Sequence, residues 1–203
     1  MTIKELGGKV ASIWETLRPD TKKLLVGALK TGKPTAQTPK FHYDAHADWE
    51  LSRLLHALDE QTKNKTVLKN AAKLTEIRQL ADTCASVLES QSASAEVFIQ
   101  LATRAVKEND YARLDHLADH LAERYSAGEI AEIVRQTGLP QIRAIAYESL
   151  AMLPVGYLAA LLDDPLYSEI AVGALEQKAF EFDSDEARDL LDHMDAEIEA
   201  KRD

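Results

Sequence analysis

The chain has 203 residues, 24 Lys/Arg against 34 Asp/Glu (formal net charge −10) and 45 % hydrophobic residues. That length makes one large domain or two small ones with a real core, and that hydrophobic share argues against wholesale disorder. A single cysteine, Cys84, excludes an intrachain disulfide and a Cys-based zinc site, and no apolar run is long enough for a membrane span.

The charge is unevenly placed. Residues 1–40 carry a net +5, residues 41–80 a net 0 and residues 81–203 a net −15. A basic head and an acidic body attract one another within or between chains, which leaves self-association open. The body repels nucleic acid and anionic lipid. Charges at Lys4, Glu5, Lys9 and Glu15 interrupt the apolar stretch that a signal peptide needs, so the expected location is cytoplasmic. With eight Gly and six Pro, and with Ala, Leu and Glu abundant, the composition predicts an all-α protein.

Residues 1–30 read as a basic amphipathic helical arm. Ile3, Leu6, Val10, Ile13, Trp14 and Leu17 recur at three- to four-residue steps over 2–17. Gly7 and Gly8 weaken that helix by about 1 kcal/mol each relative to Ala. A second helix starts at Pro19 and stops at Gly32. Residues 31–45, "TGKPTAQTPKFHYDA", have two prolines and no helical period and read as a linker. Asp44 is placed to cap the next helix, and the aromatic residues beside His42 and His46 are placed to staple its start.

Residues 46–93 are expected to form a helical hairpin. Leu51, Leu54, Leu55 and Leu58 line one face of a helix over 46–61. A single long helix over 64–90 answers it, with positions 67, 74, 77, 81, 84 and 88 approaching a heptad and Asn70 at a polar seam position. Cys84 falls in that apolar phase and reads as a buried, inert thiol.

Residues 94–203 break into shorter helices over 94–108, 110–124, 127–137, 140–152, 155–163, 166–180 and 184–201. Turn and cap residues separate them, as in "END", "TGLP" and "DDP". Helices this short must stack to be stable. The last one, with Leu190, Leu191, Met194 and Ile198 on one face, reads as an acidic cap.

At an offset of 25 residues, 129–153 and 154–178 place apolar positions in register: Ile130 with Val155, Ile133 with Leu158, Val134 with Ala159 and Ile142 with Tyr167. "LPQIRAIAYESL" and "DPLYSEIAVGAL" share Pro140/Pro165, Ile145/Ile170, Ala146/Ala171 and Leu150/Leu175. Small alanines let neighbouring helices approach. Over 126–180 the chain resembles HEAT repeats and the leucine-rich-repeat variant: a Leu-rich helix, an Asp-Pro turn and a helix with A-x-x-A-L spacing. The usual Val-Arg after Asp-Pro is Tyr167-Ser168, whereas Ile142-Arg143 is present. The resemblance implies an α-solenoid over 94–203. Both families are chiefly protein-interaction scaffolds, and some HEAT-like members bind nucleic acid.

Three functions compete. A non-catalytic adaptor or scaffold would bind protein through Gln141, Tyr147 and Glu148, which fall off the buried face of a repeat helix, and through the arm's Ile3, Leu6, Val10 and Trp14. A nucleic-acid-associated repeat protein would use the arm's Lys4, Lys9, Arg18, Lys22, Lys23, Lys30, Lys33 and Lys40. A metal-dependent enzyme would use His116 and His120, spaced i, i+4 on "RLDHLADHLAER". The pair lacks a convincing third ligand, so no metal and no cofactor are expected. Neither a phosphate-binding glycine loop nor a nucleophile motif occurs.

Overall fold

The computed structural model describes residues 6–32 and 43–200, with the side chains of 197–199 left aside. Ile3, Lys4, Lys33, Lys40, His42, the middle of the expected linker, the Ile198 side chain and Lys201-Arg202 therefore lie outside the described residues. The described residues are all helical or connecting, with twelve helices and no strand. The chain divides into two compact units, Met1–Val97 and Phe98–Asp203. None of the described helices is long and apolar enough to cross a membrane.

In the first unit α1 (Gly8–Thr16) and α2 (Pro19–Thr31) precede α3 (Ala45–Thr62), the single turn α4 (Lys65–Leu68) and α5 (Ala71–Gln91). The expected hairpin exists as α3 against α5. The arm helices are part of the same unit, α1 lying against α3 and α2 against both α3 and α5. Leu51, Leu54, Leu55 and Leu58 are fully buried, facing a stripe on α5 of Ile77, Leu80, Ala81, Cys84, Val87 and Leu88. That stripe is wider than a heptad seam because α5 is covered by α2 as well as by α3.

Two local expectations change. The single helix over 64–90 is broken: Asn70 sits at the N-cap of α5, where its Oδ1 accepts from the Lys73 amide at 3.1 Å. Asparagine competes for backbone hydrogen bonds and favours a cap over a helix interior, which the apolar phase across 67–88 concealed. Asn70→Ala should cost about 1 kcal/mol of first-unit stability, read by urea unfolding. Gly7 is not inside a helix either. It is the N-cap of α1 at φ 128°, and a Cβ there would stand 2.7 Å from the Gln61 side chain. Gly32 does stop α2, in the left-handed conformation at φ 65°.

α6 (Ala95–Glu108) begins in the first unit and continues into the second. The second unit then holds α7 (Tyr111–Arg124), α8 (Ala127–Gln136), α9 (Pro140–Met152), α10 (Val155–Leu162), α11 (Ser168–Glu181) and α12 (Asp185–Ala200). The breaks are where cap chemistry puts them. Asn109 and Asp183 take positive φ, Asp110 accepts from the Arg113 amide at 3.0 Å, and Ser126 from the Glu129 amide at 3.2 Å. Arg143 donates to the Thr137 carbonyl at 2.9 Å and closes the α8–α9 turn.

Packing in this unit links neighbours and next-neighbours. α8 lies against α9 and α10 against α11; α9 also meets α7 and α11, and α8 meets α10 and α11. α12 covers α11. Ala146, Ala151, Ala171 and Ala174 are fully buried where these helices meet, between the larger Ile142, Leu150, Leu158 and Leu175. The Tyr147 ring fills the space left by Gly173, whose Cβ would lie 3.4 Å from it. Lys178 Nζ donates to the Ala151 carbonyl at 2.9 Å. These two contacts make α9 and α11 run parallel, with partners 26 and 27 residues apart.

Candidate functional site

The strongest polar constellation of the first unit joins α2 to α3. Glu50 is only 3 % exposed, and its carboxylate accepts from Thr21 Oγ1 at 2.5 Å, the Arg18 amide at 2.6 Å and Arg18 Nε at 3.1 Å. The Arg18 guanidinium also donates twice to Asp44, at 2.6 and 3.0 Å, and Asp44 caps α3 through the Ala47 amide at 2.9 Å. Burial alone would push the Glu50 carboxyl up. The hydrogen bonds from Thr21 and Arg18 and the guanidinium charge outweigh it and hold the group below the ordinary range. Asp44 is held well below it, chiefly by its bonds to Arg18.

A second cluster starts α3. The expected apolar staple is a polar one: Tyr43 donates its hydroxyl to Asp48 Oδ1 at 2.6 Å, one turn along. Ser92 donates to the other oxygen at 2.9 Å. Burial raises the Asp48 carboxyl above the ordinary range in spite of both bonds. Tyr43 is pushed far up by burial and by the carboxylate it bonds. Trp49 stays half exposed, its ring 4.3 Å from the Arg53 guanidinium carbon and 5.5 Å from the His46 ring. The groups in both clusters satisfy one another and hold helices together; none is left facing an open site.

A cleft of about 580 Å³ opens between α2 and α5, with Arg78 and Asp82 one turn apart on its α5 wall. Three of its hydroxyls are spent on their own helix: Thr75 donates to the Ala71 carbonyl, Thr83 to Gln79 and Ser86 to Asp82. No described nucleophile–base pair converges there.

The residues singled out in the sequence fall as follows. Leu6 and Val10 are fully buried and Trp14 half-buried, so the described part of the arm's apolar stripe packs inside the first unit. Of the arm's cations, Lys9 pairs with Glu60, Arg18 with Asp44 and Glu50, and Lys23 with Asp20. Gln141 and Glu148 are exposed on α9, whereas Tyr147 is half-buried against Gly173. His116 is exposed and His120 half-buried, their rings edge to face at 4.5 Å. His120 Nδ1 is out of solvent without a hydrogen bond.

Sequence reasoning missed the largest apolar exposure. Phe180 is 84 % exposed and Phe182 46 %, at the C-terminal end of α11; Met152 and Tyr157 are each 60 % exposed. These four share one end of the second unit. Lys178 ties the last turn of α11 to Ala151, the residue before Met152, and α10 begins three residues after Met152, with Tyr157 in its first turn. The signal was present in "FEFDSDE" (180–186), where aromatic and acidic residues alternate across a helix end. Glu181, Asp183, Asp185 and Glu186 of that stretch are exposed as well.

No protein-family model, curated protein or solved structure matches the chain.

Proposed function

We propose that the chain is a non-catalytic protein-interaction adaptor whose second unit is a short HEAT-like α-solenoid of stacked helix pairs. The parallel α9–α11 contact supports the stacking: its offsets of 26 and 27 residues nearly equal the 25-residue sequence period. The observation that carries the function is the exposed apolar end formed by Met152, Tyr157, Phe180 and Phe182. Single exposed apolar residues are ordinary, but four large ones at one end of one unit mark an interaction surface.

The test is retention of a native-host protein by the immobilised full chain and its loss on a Phe180→Ser/Phe182→Ser variant of unchanged helix content. Equal retention of every captured protein by both forms contradicts the reading.

The nucleic-acid alternative has less support, because Lys9, Arg18 and Lys23 are committed to carboxylates of their own unit. Removing residues 1–40 would strip α1 and α2 from α3 and α5, so charge substitution is the cleaner test. Neither the full chain nor a Lys22→Gln/Lys23→Gln/Lys30→Gln variant is expected to bind duplex DNA at ~0.15 M salt. Salt-dependent binding lost in that variant would favour the alternative.

A further inference from the structure

We propose that the α9–α11 end of the second unit receives a Lys/Arg-rich amphipathic segment of a partner protein. This rests on the interaction reading above and adds the chemistry of the partner. Two properties of the surface select it. The first is apolar: Phe180 and Phe182 are exposed at the C-terminal end of α11, at the same end of the unit as the exposed Met152 and Tyr157. A partner must bring apolar side chains to cover them.

The second is charge. Residues 176–192 hold seven carboxylates and two cations, a net −5. The two cations are turned to internal tasks. Lys178 bonds the Ala151 carbonyl; Arg188 bonds the Ala179 carbonyl together with Asp183 and Asp185. Glu181 accepts from Gln177 of its own helix at 2.9 Å, and that neutral bond leaves its charge uncancelled. Glu176, Glu186, Asp189 and Asp192 are exposed beside them.

A partner with phosphates, such as nucleic acid or an anionic lipid surface, meets repulsion there. An acidic protein segment meets the same repulsion. A segment with apolar residues on one face and Lys/Arg on the other covers the rings and pairs with the carboxylates. Its cations can also lie on the exposed faces of Phe180 and Phe182.

The test measures fluorescence anisotropy of three labelled peptides of equal length against the full chain. One is amphipathic with Lys/Arg on its polar face. The second replaces Lys/Arg by Glu, and the third keeps Lys/Arg but replaces the apolar residues by Ser. The first should bind at least about tenfold more tightly than the others. That binding should fall about tenfold in Phe180→Ser/Phe182→Ser and in Glu181→Lys/Glu186→Lys, and weaken between ~0.05 and ~0.5 M salt. Hydrogen exchange of the unmodified chain, with and without the first peptide, should show protection at the end of α11, independently of any variant.

Equal binding of the first and third peptides, or no loss in the Lys variant, overturns the proposal. If the Glu peptide binds and depends on Phe180 and Phe182, the surface stands as an interaction site and its basic specificity falls. If no peptide depends on those two residues and α11 gains no protection, both readings fall.

Discussion

Glu50→Ala is expected to lower the stability of the first unit by about 3 kcal/mol. The substitution removes the acceptor for Thr21 Oγ1, the Arg18 amide and Arg18 Nε together. Thr21 is fully buried and gains no water in exchange. The loss is limited because Arg18 is 38 % exposed and keeps both bonds to Asp44. Glu50→Gln keeps one acceptor oxygen and should cost about 1 kcal/mol. Both tryptophans, Trp14 and Trp49, belong to the first unit, so urea unfolding followed by tryptophan fluorescence reports this unit by itself.

The same network sets the acid limb. Asp44 and Glu50 have depressed folded values, so their contribution is complete above the ordinary carboxylate range and is lost as the pH falls from about 4 through those depressed values. Asp48 acts in the opposite sense. Its folded value is raised, so its ionised form costs stability at neutral pH, and that cost disappears as the pH drops through the raised value. Asp48→Asn should therefore stabilise the first unit at pH 7. The difference from the parent should shrink as the pH falls through the raised value. A constant difference between pH 7 and pH 4 would contradict this assignment.

Ending the chain at residue 153 should have the larger effect, on the second unit. It removes α10 and α11, which lie against α8 and α9, together with α12, which covers α11. Ile133, Val134, Ile142, Ala146 and Leu150 are at most 4 % exposed in the full chain. Uncovering an apolar layer of this kind leaves α8 and α9 without their neighbours and without a polar cap, and the expected outcome is aggregation. A soluble, cooperatively unfolding truncation would show that the helix pairs do not depend on one another and would count against the stacking.

The helices of residues 94–203 were legible because their ends are written in short-range chemistry. Asp110, Ser126 and Pro140 act within a turn of where they stand. The α4–α5 break was not, because Val67, Leu74 and Ile77 keep an apolar phase across it while Asn70 turns the backbone. The Glu50 network was invisible for a different reason. Arg18 and Glu50 are 32 residues apart, and a lone Glu in a leucine-rich helix looks like a solvated position. Burial of Leu6 and Val10 was likewise long-range: a stripe shows that a helix needs a cover and does not say which surface supplies it. Phe180 and Phe182 were passed over because helical periodicity assigns apolar residues to a core, whereas these two stand exposed at a helix end.

The central claim is that the end of α11 meets protein. It is tested most directly by placing a photo-cross-linking aromatic residue at position 180 of the full chain, irradiating in native-host extract, and comparing with the same residue at exposed Asp115 on α7. The account predicts a discrete, saturable protein adduct from position 180 that is absent from position 115 and competed by excess unlabelled chain. Adducts of equal yield and pattern from both positions, or none from 180, would contradict it.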